Sequence, residues 1–157
     1  MRTTRILQAT VKFLQEQEWS YTLKEGESPL LIVGYEGENG QWKSIAIVRE
    51  QEEQLIFYSQ APVQVPEEKR QHVAEFLTRA NYGLTMGNFE MDFDDGEVRY
   101  RTSLDVEGVD ISSELIQPVI YANLSSMDKY LPGLLLVLSS DVTPKEACRK
   151  VQAGEAF

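Results

Sequence analysis

Between Asn88 and Gly108 the chain reads NFEMDFDDGEVRYRTSLDVEG, where Glu90, Asp92, Asp94, Asp95, Glu97, Asp105 and Glu107 stand against only Arg99 and Arg101. Carboxylates at this density could hold a metal ion or divide the roles of general acid and base. The calcium reading fails on spacing. An EF-hand loop needs oxygen ligands at positions one, three and five before a glycine at six, and ahead of Gly96 those positions hold Met91, Phe93 and Asp95. A sheet reading fits better. With Asp95-Gly96 at the centre of a two-residue turn, Asp94 faces Glu97, Phe93 faces Val98, Asp92 faces Arg99, Met91 faces Tyr100 and Glu90 faces Arg101. That register sends Phe89, Met91, Phe93, Val98, Tyr100 and Leu104 to one face and the charges to the other. Cross-strand ion pairs contribute only ~0.2–1 kcal/mol each, so the acids are expected to form a solvated face. With Asp105, Glu107 and Asp110 this face is an electronegative surface that a basic partner could use. A hydrolase or metal-dependent enzyme using Asp92 to Asp95 is the competing reading, and it requires two carboxylates converging in a concave pocket.

Other reactive groups are few. His72 is the only histidine, and no nucleophile motif lies near it, so it is expected on an exposed helix edge. Cys148 is the only cysteine, which excludes an internal disulfide and a thiolate zinc cluster. Arg149 and Lys150 beside it could lower a thiol pKa, but Ala147, Cys148 and Val151 fit a small docking stripe better. Gly34, Gly37 and Gly40 lie in or next to a hairpin with no following helix N-terminus, so they form no phosphate loop. No catalytic residue, cofactor or metal ligand is assigned.

These residues sit in a chain of 157 residues, long enough for one domain with a sizeable core, read here as 1–157. Its net charge of −10 repels phosphate backbones and anionic bilayers, so neither nucleic acid nor membrane is an expected partner. The N-terminal segment is interrupted by Gln8, Lys12, Gln15 and Glu16, unlike a signal peptide, and the longest apolar run, Leu134 to Leu138, is too short to span a bilayer. A cytoplasmic protein is expected.

Residues 4–18 read as a helix capped by Thr3 or Thr4, with a stripe of Ile6, Leu7, Thr10, Val11, Phe13 and Leu14. From Trp19 the period becomes two, marking a strand that Gly26 ends. Leu30 to Tyr35 is apolar at both parities, as in a strand covered on both faces. An Asn39-Gly40 turn then pairs Glu36 with Lys43 and Ile32 with Ile47, with the returning strand at Trp42 to Arg49 and a fourth at Leu55 to Tyr58. Pro66 at a first helical position starts a second helix on Val73, Phe76, Leu77 and Ala80, stopped by Gly83. Strands follow at 86–94 and 97–106. The last long helix runs from Ser112 to Leu138 on Ile116, Ile120, Leu124, Met127, Leu131, Leu134 and Leu138, with a kink or break expected between Asp128 and Pro132. A capping box, Thr143-Pro144-Lys145-Glu146, opens a short terminal helix that ends near Gly154. The fold class is α+β: a two-layer α/β sandwich whose antiparallel sheet arises from one helix, four strands, a helix, two strands and a helix, plus the terminal helix.

That order, with EFLTRANYGLTMGNFEMDFDDGEVRYRTSLDVEG and the later MDKYLPGLLLVL, resembles the YbjN-like domain family from about Ile6 to Leu138. The most specific residues are Asn81-Tyr82-Gly83, Gly87-Asn88-Phe89, Asp95-Gly96 and Arg99-Tyr100-Arg101. The resemblance implies a fold similar to type III secretion chaperones, commonly dimeric, in a family described as bacterial sensory transduction regulators. It supplies no catalytic residues.

Five successive apolar residues on a helix point all the way round it, so Leu134, Leu135, Leu136, Val137 and Leu138, with Tyr130, are the candidate protein-interaction residues. Either the terminal helix folds back over them or another chain does, a homodimer being the favoured form. The expected function is a non-enzymatic adaptor, chaperone-like factor or regulator that binds a segment of a partner protein at a sheet edge or apolar groove. Structural self-assembly is a third reading.

Overall fold

The computed structural model describes residues 4–157. Helix α1 (Arg5–Glu16) leads into strands β1 (Thr22–Lys24), β2 (Leu30–Glu36), β3 (Gln41–Arg49) and β4 (Gln54–Gln64); a 3-10 turn at Glu67–Lys69 opens α2 (Arg70–Asn81), and β5 (Asn88–Met91), β6 (Glu97–Asp105), α3 (Ser113–Ser139) and α4 (Pro144–Ala153) complete the chain. The strands form one antiparallel sheet in the order β1-β2-β3-β4-β6-β5. Strand alternation decides the core: Leu31 and Val33, Trp42 to Val48 at even positions, Leu55, Phe57, Ser59, Val98, Tyr100 and Thr102 are buried on one face, where α3 lies across β4 and β6.

Among the described residues, no side chain of its own segment caps helix α1. Thr4 occupies the cap position but makes no side-chain hydrogen bond, and Thr3, the other candidate, lies outside the described residues. The buried Glu50 carboxylate, from the end of β3, accepts the Leu7 backbone N–H at 2.9 Å instead. A carboxylate there also faces the positive end of the helix dipole. At the other end, Trp19 leaves the predicted strand: its backbone N–H bonds the Leu14 carbonyl, and its ring packs edge-on against Phe13, Tyr35 and Tyr121. The first strand therefore shrinks to Thr22–Lys24.

Strand β4 runs well past the predicted Tyr58. Ser59 can be buried because its hydroxyl accepts from Trp42 Nε1 at 3.0 Å and meets Ser44 Oγ at 3.4 Å, and Pro62 falls where the β4–β6 register slips between Gln60 and Gln64, so its missing N–H costs the ladder nothing.

Helix α3 is continuous from Ser113 to Ser139 with Pro118 and Pro132 inside it, so of the kink or break expected near Asp128 the break does not occur. Pro132 cannot donate to the Asp128 carbonyl. Asn39, in the loop between β2 and β3, supplies the missing donor: its Nδ2 bonds Asp128 O at 2.9 Å. The Asp128 carboxylate in turn accepts the Glu38 and Asn39 backbone N–H groups at 3.0 and 2.8 Å. This latch also explains a register correction. The connection is a four-residue loop, Gly37 to Gly40, closed by Gly37 N–H to Gly40 O at 2.8 Å, so Ile32 faces Ile45 and Glu36 faces Gln41, two residues from the predicted pairs.

Helix α4 follows its signals. Thr143 Oγ1 accepts the Glu146 N–H, Pro144 occupies the first helical position, and Gly154, with φ of 70°, closes the end. It packs on α2 and α3 at Gly133, where an added Cβ would sit 2.6 Å from Val151 and 2.7 Å from Phe76.

Asn39→Ala should cost about 1–2 kcal/mol by denaturant unfolding, because it leaves the Asp128 carbonyl without a donor. In a Pro132→Ala background, where residue 132 regains its N–H, the cost should fall by at least about half. Equal costs in both backgrounds would mean that the latch does not replace the proline's missing bond.

Candidate interaction surface

The acidic stretch forms the β5–β6 hairpin, but the turn is longer than a two-residue one. Asp92 N–H bonds Glu97 O at 2.9 Å and Gly96 N–H bonds Asp92 O at 2.7 Å, so Phe93 to Gly96 make the loop and Met91 faces Val98, Phe89 faces Tyr100 and Glu90 faces Arg99. The shift from the predicted register is two residues. Because the side-chain period is also two, the faces are preserved: Phe89, Val98 and Tyr100 are buried. Phe93 is the exception. It sits in the loop, 52% exposed, rather than in the core.

The carboxylates do not converge. Glu90 holds Arg99 at 2.5 Å and Arg101 at 3.8 Å, Asp92 Oδ1 accepts the Asp94 N–H, and Asp95 Oδ1 accepts the Glu97 N–H, both at 2.8 Å. The Asp105 carboxyl is held below the usual range by the Glu107 backbone N–H and by the Gln54 amide. Among the described residues no group of three His, Cys, Asp or Glu side chains is placed to hold a metal.

His72 is exposed on α2, beside Glu68, Lys69 and Glu75 at the rim of a cavity of about 620 Å³. Cys148 is buried at 4% exposure between α2, α3 and α4, and burial pushes its thiol pKa up against the opposing pull of Arg79 and Lys129. Of the six residues selected as interaction candidates, Tyr130, Leu134 and Val137 are interior, Leu136 and Leu138 are half-buried, and only Leu135, at 37%, is exposed. The fold-back of α4 provides the cover that the run demands.

The sequence reading missed a set of structural locks in its own motif. Asn81, the last residue of α2, clamps the edge strand β5 by accepting the Phe89 N–H at 2.7 Å and donating to the Phe89 carbonyl at 3.0 Å. Gly87, with φ of 76°, runs against the Arg101 carbonyl and Tyr100 ring, and the Tyr100 hydroxyl donates to the Met86 carbonyl. Gly96, with φ of 82°, lies against the Val65 carbonyl and leaves no room for a Cβ. An asparagine directly after the last residue of an apolar helical stripe, Ala80, is the signal that could have found Asn81.

Among the described residues, no helix lies on the second face of the sheet. Cross-strand register lines up Leu30, Ile47 and Ile56 in one row and Ile32, Ile45 and Tyr58 in the next, spanning β2, β3 and β4. The five aliphatic side chains are half-buried by one another, and Arg99 stacks 4.0 Å over the Tyr58 ring, closing that corner. The expectation that β2 is covered on both faces is therefore met on one face only. Gly34 leaves a gap beside Ile32, part of a cavity of about 550 Å³ that reaches Lys43 and Trp42.

Residues 11–136 match the model of the YbjN family, described as "Putative bacterial sensory transduction regulator". The chain belongs to the YbjN family. No curated protein sequence matches it. Among solved structures it is similar to YbjN from E. coli, titled "a putative transcription regulator", with a TM-score of 0.56, 10% identity, and coverage of 94% of this chain and 93% of that one. At that identity the likeness concerns the fold, an antiparallel sheet with helices in the α+β class. No described helix is long and apolar enough to cross a membrane.

In this YbjN-family chain Gly96→Ala should lower stability by at least about 2 kcal/mol, since the new Cβ meets backbone at a positive φ; an unchanged unfolding midpoint would refute the lock. Cys148 should react with a thiol reagent at least about tenfold more slowly in the native chain than in denaturant. Equal rates would place the thiol at the surface.

Proposed function

We propose that this YbjN-family protein is a non-enzymatic regulatory adaptor that binds a segment of a partner protein on the helix-free face of its sheet. One observation carries the reading: the β2–β3–β4 block is apolar at both parities, yet its own helices cover one side. Five half-buried aliphatics in two rows are a poor solvent face for a chain with 25 acidic and 15 basic residues available to cover it. Burial of such a patch stabilises a complex by roughly 25 cal/mol per Å² of apolar surface removed from water, which is the means by which an adaptor without a reactive centre acts. The family description supports a regulatory role of this kind. Binding on this face does not require a second copy of the chain, and the argument for a homodimer from Leu134 to Leu138 is weakened by the cover that α4 gives within one chain.

Affinity capture from the native cell with the wild-type chain and with an Ile32→Glu/Ile45→Glu variant tests the reading, circular dichroism confirming that both are folded. The wild type should enrich a partner that the variant loses and that a Phe93→Ser control keeps. The same proteins on wild type and variant, or none enriched by the wild type, would overturn it.

A further inference from the structure

We infer that the occupant of the helix-free face is an amphipathic helix with an acidic polar side, supplied by a different protein; this rests on the adaptor reading and names the class of partner. Size argues first. Strands about 4.8 Å apart with a two-residue repeat of about 6.8 Å make the two-by-three apolar block roughly 14 Å on each side, or roughly 200 Å². A stable homodimer buries about 800 Å² on each partner and is more apolar than an average surface, so this block is too small to be the centre of a sheet-on-sheet contact between two copies. It matches one helix about 10–12 Å wide lying across three strands.

Charge argues second, and selects the helix. On this face Lys24 follows Leu30 in its row, Lys43 lies beside Ile45 along β3, and Arg101 follows Tyr58 in its row, so cations border the aliphatic block on three sides. Lys24 and Lys43 make no hydrogen bond or ion pair among the described residues, and Arg101 has only Glu90 at 3.8 Å. In a chain of net charge −10 the immediate border of the block is locally positive, and the same face turns acidic only beyond it, at Glu36 and Asp105. A second copy would bring the same cations face to face. An acidic helix would place carboxylates over them while its apolar stripe, at three-to-four spacing, meets Ile32, Ile45, Ile47 and Ile56. The gap at Gly34 admits one larger apolar side chain at the edge of the block.

The test uses three synthetic peptides of about 18 residues, long enough for about five helical turns. One carries leucine at i, i+3, i+4 and i+7 with glutamate elsewhere, one replaces each glutamate with lysine, and one has the acidic composition with the leucine spacing scrambled. With the ¹⁵N-labelled full chain, the acidic amphipathic peptide should shift the amides of Ile32, Ile45, Ile47 and Ile56, and should bind at least about tenfold more tightly than the other two. Lys43→Glu/Arg101→Glu should invert the preference between acidic and basic peptides. Equal binding of all three peptides, shifts elsewhere in the chain, or no binding by any of them would overturn the inference. Self-association of the free chain that Ile45→Glu abolishes would overturn it too, by making a second copy the occupant. If capture from the cell yields a partner dependent on Ile32 and Ile45 while the peptides show no preference, the adaptor reading stands and the acidic helix fails.

Discussion

A 27-residue helix with two internal prolines cannot be held in place by its own ladder alone, and the rest of this molecule is arranged around holding α3 down. Asn123 does most of it. Fully buried at the centre of the helix, its Nδ2 reaches Phe57 O at 2.9 Å, Tyr100 O at 3.0 Å and Thr102 Oγ1 at 3.1 Å, while Thr102 Oγ1 donates to the Val119 carbonyl at 2.9 Å. One side chain thus ties the helix to both β4 and β6. Its Oδ1 has no hydrogen-bond partner among the described residues, so the amide nitrogen makes the tie. The Asn39–Asp128 latch holds the same helix one and a half turns further on, and Gly133 lets α2 and α4 close over its far end. Apolar burial alone could slide along the helix axis; these polar contacts fix the axial position.

Fixing α3 on one face has a consequence for the other. All the long amphipathic elements, α1, α2 and α3, are committed to the same side of the sheet, and α4 is spent covering the Leu134–Leu138 run. No helix remains for the second face. The chain softens that exposure with devices already in the strands: β-branched side chains that shield one another, Arg99 laid on Tyr58 and held by Glu90, and cations at the margins. Most of the acidic excess goes to loops and helix surfaces, and the centre of the face opposite the helices stays aliphatic.

Element type was legible in the sequence wherever periodicity was strong: α1, α2, α3 and α4 and the strands Leu30–Glu36, Gln41–Arg49 and Glu97–Asp105 follow from spacing and caps. Register was not. Both hairpins slipped by two residues because Asn-Gly and Asp-Gly signals favour two-residue turns, whereas Asp128 on a distant helix and Asp92 within its own loop each stabilise a four-residue one. A slip of two keeps inside and outside unchanged, which is why the inward face predicted for the β5–β6 hairpin survived except at Phe93, moved from strand to turn. The continuity of α3 was illegible for a related reason: the donor that replaces Pro132 at the Asp128 carbonyl lies 89 positions from Asp128, in a loop.

The candidate site was half legible. Leu30 to Tyr35 announced a strand apolar on both sides, yet the interaction residues were sought on the helix, because an all-round apolar helix demands cover more visibly than a strand does. The demand was real and α2 and α4 together met it, which turns Tyr130, Leu134 and Val137 into core. The strand's demand was the quieter one and it is the one left open. The residues that carry the resemblance divide in the same way: Asn81, Gly87, Gly96 and Tyr100 secure backbone at an edge strand and two loops, whereas Arg99 and Arg101 turn to the helix-free face and border its aliphatic rows. Fold and the proposed recognition therefore draw on neighbouring residues of β6, alternate positions facing the core and the open side, and on that proposal a substitution there acts on one or the other according to its parity.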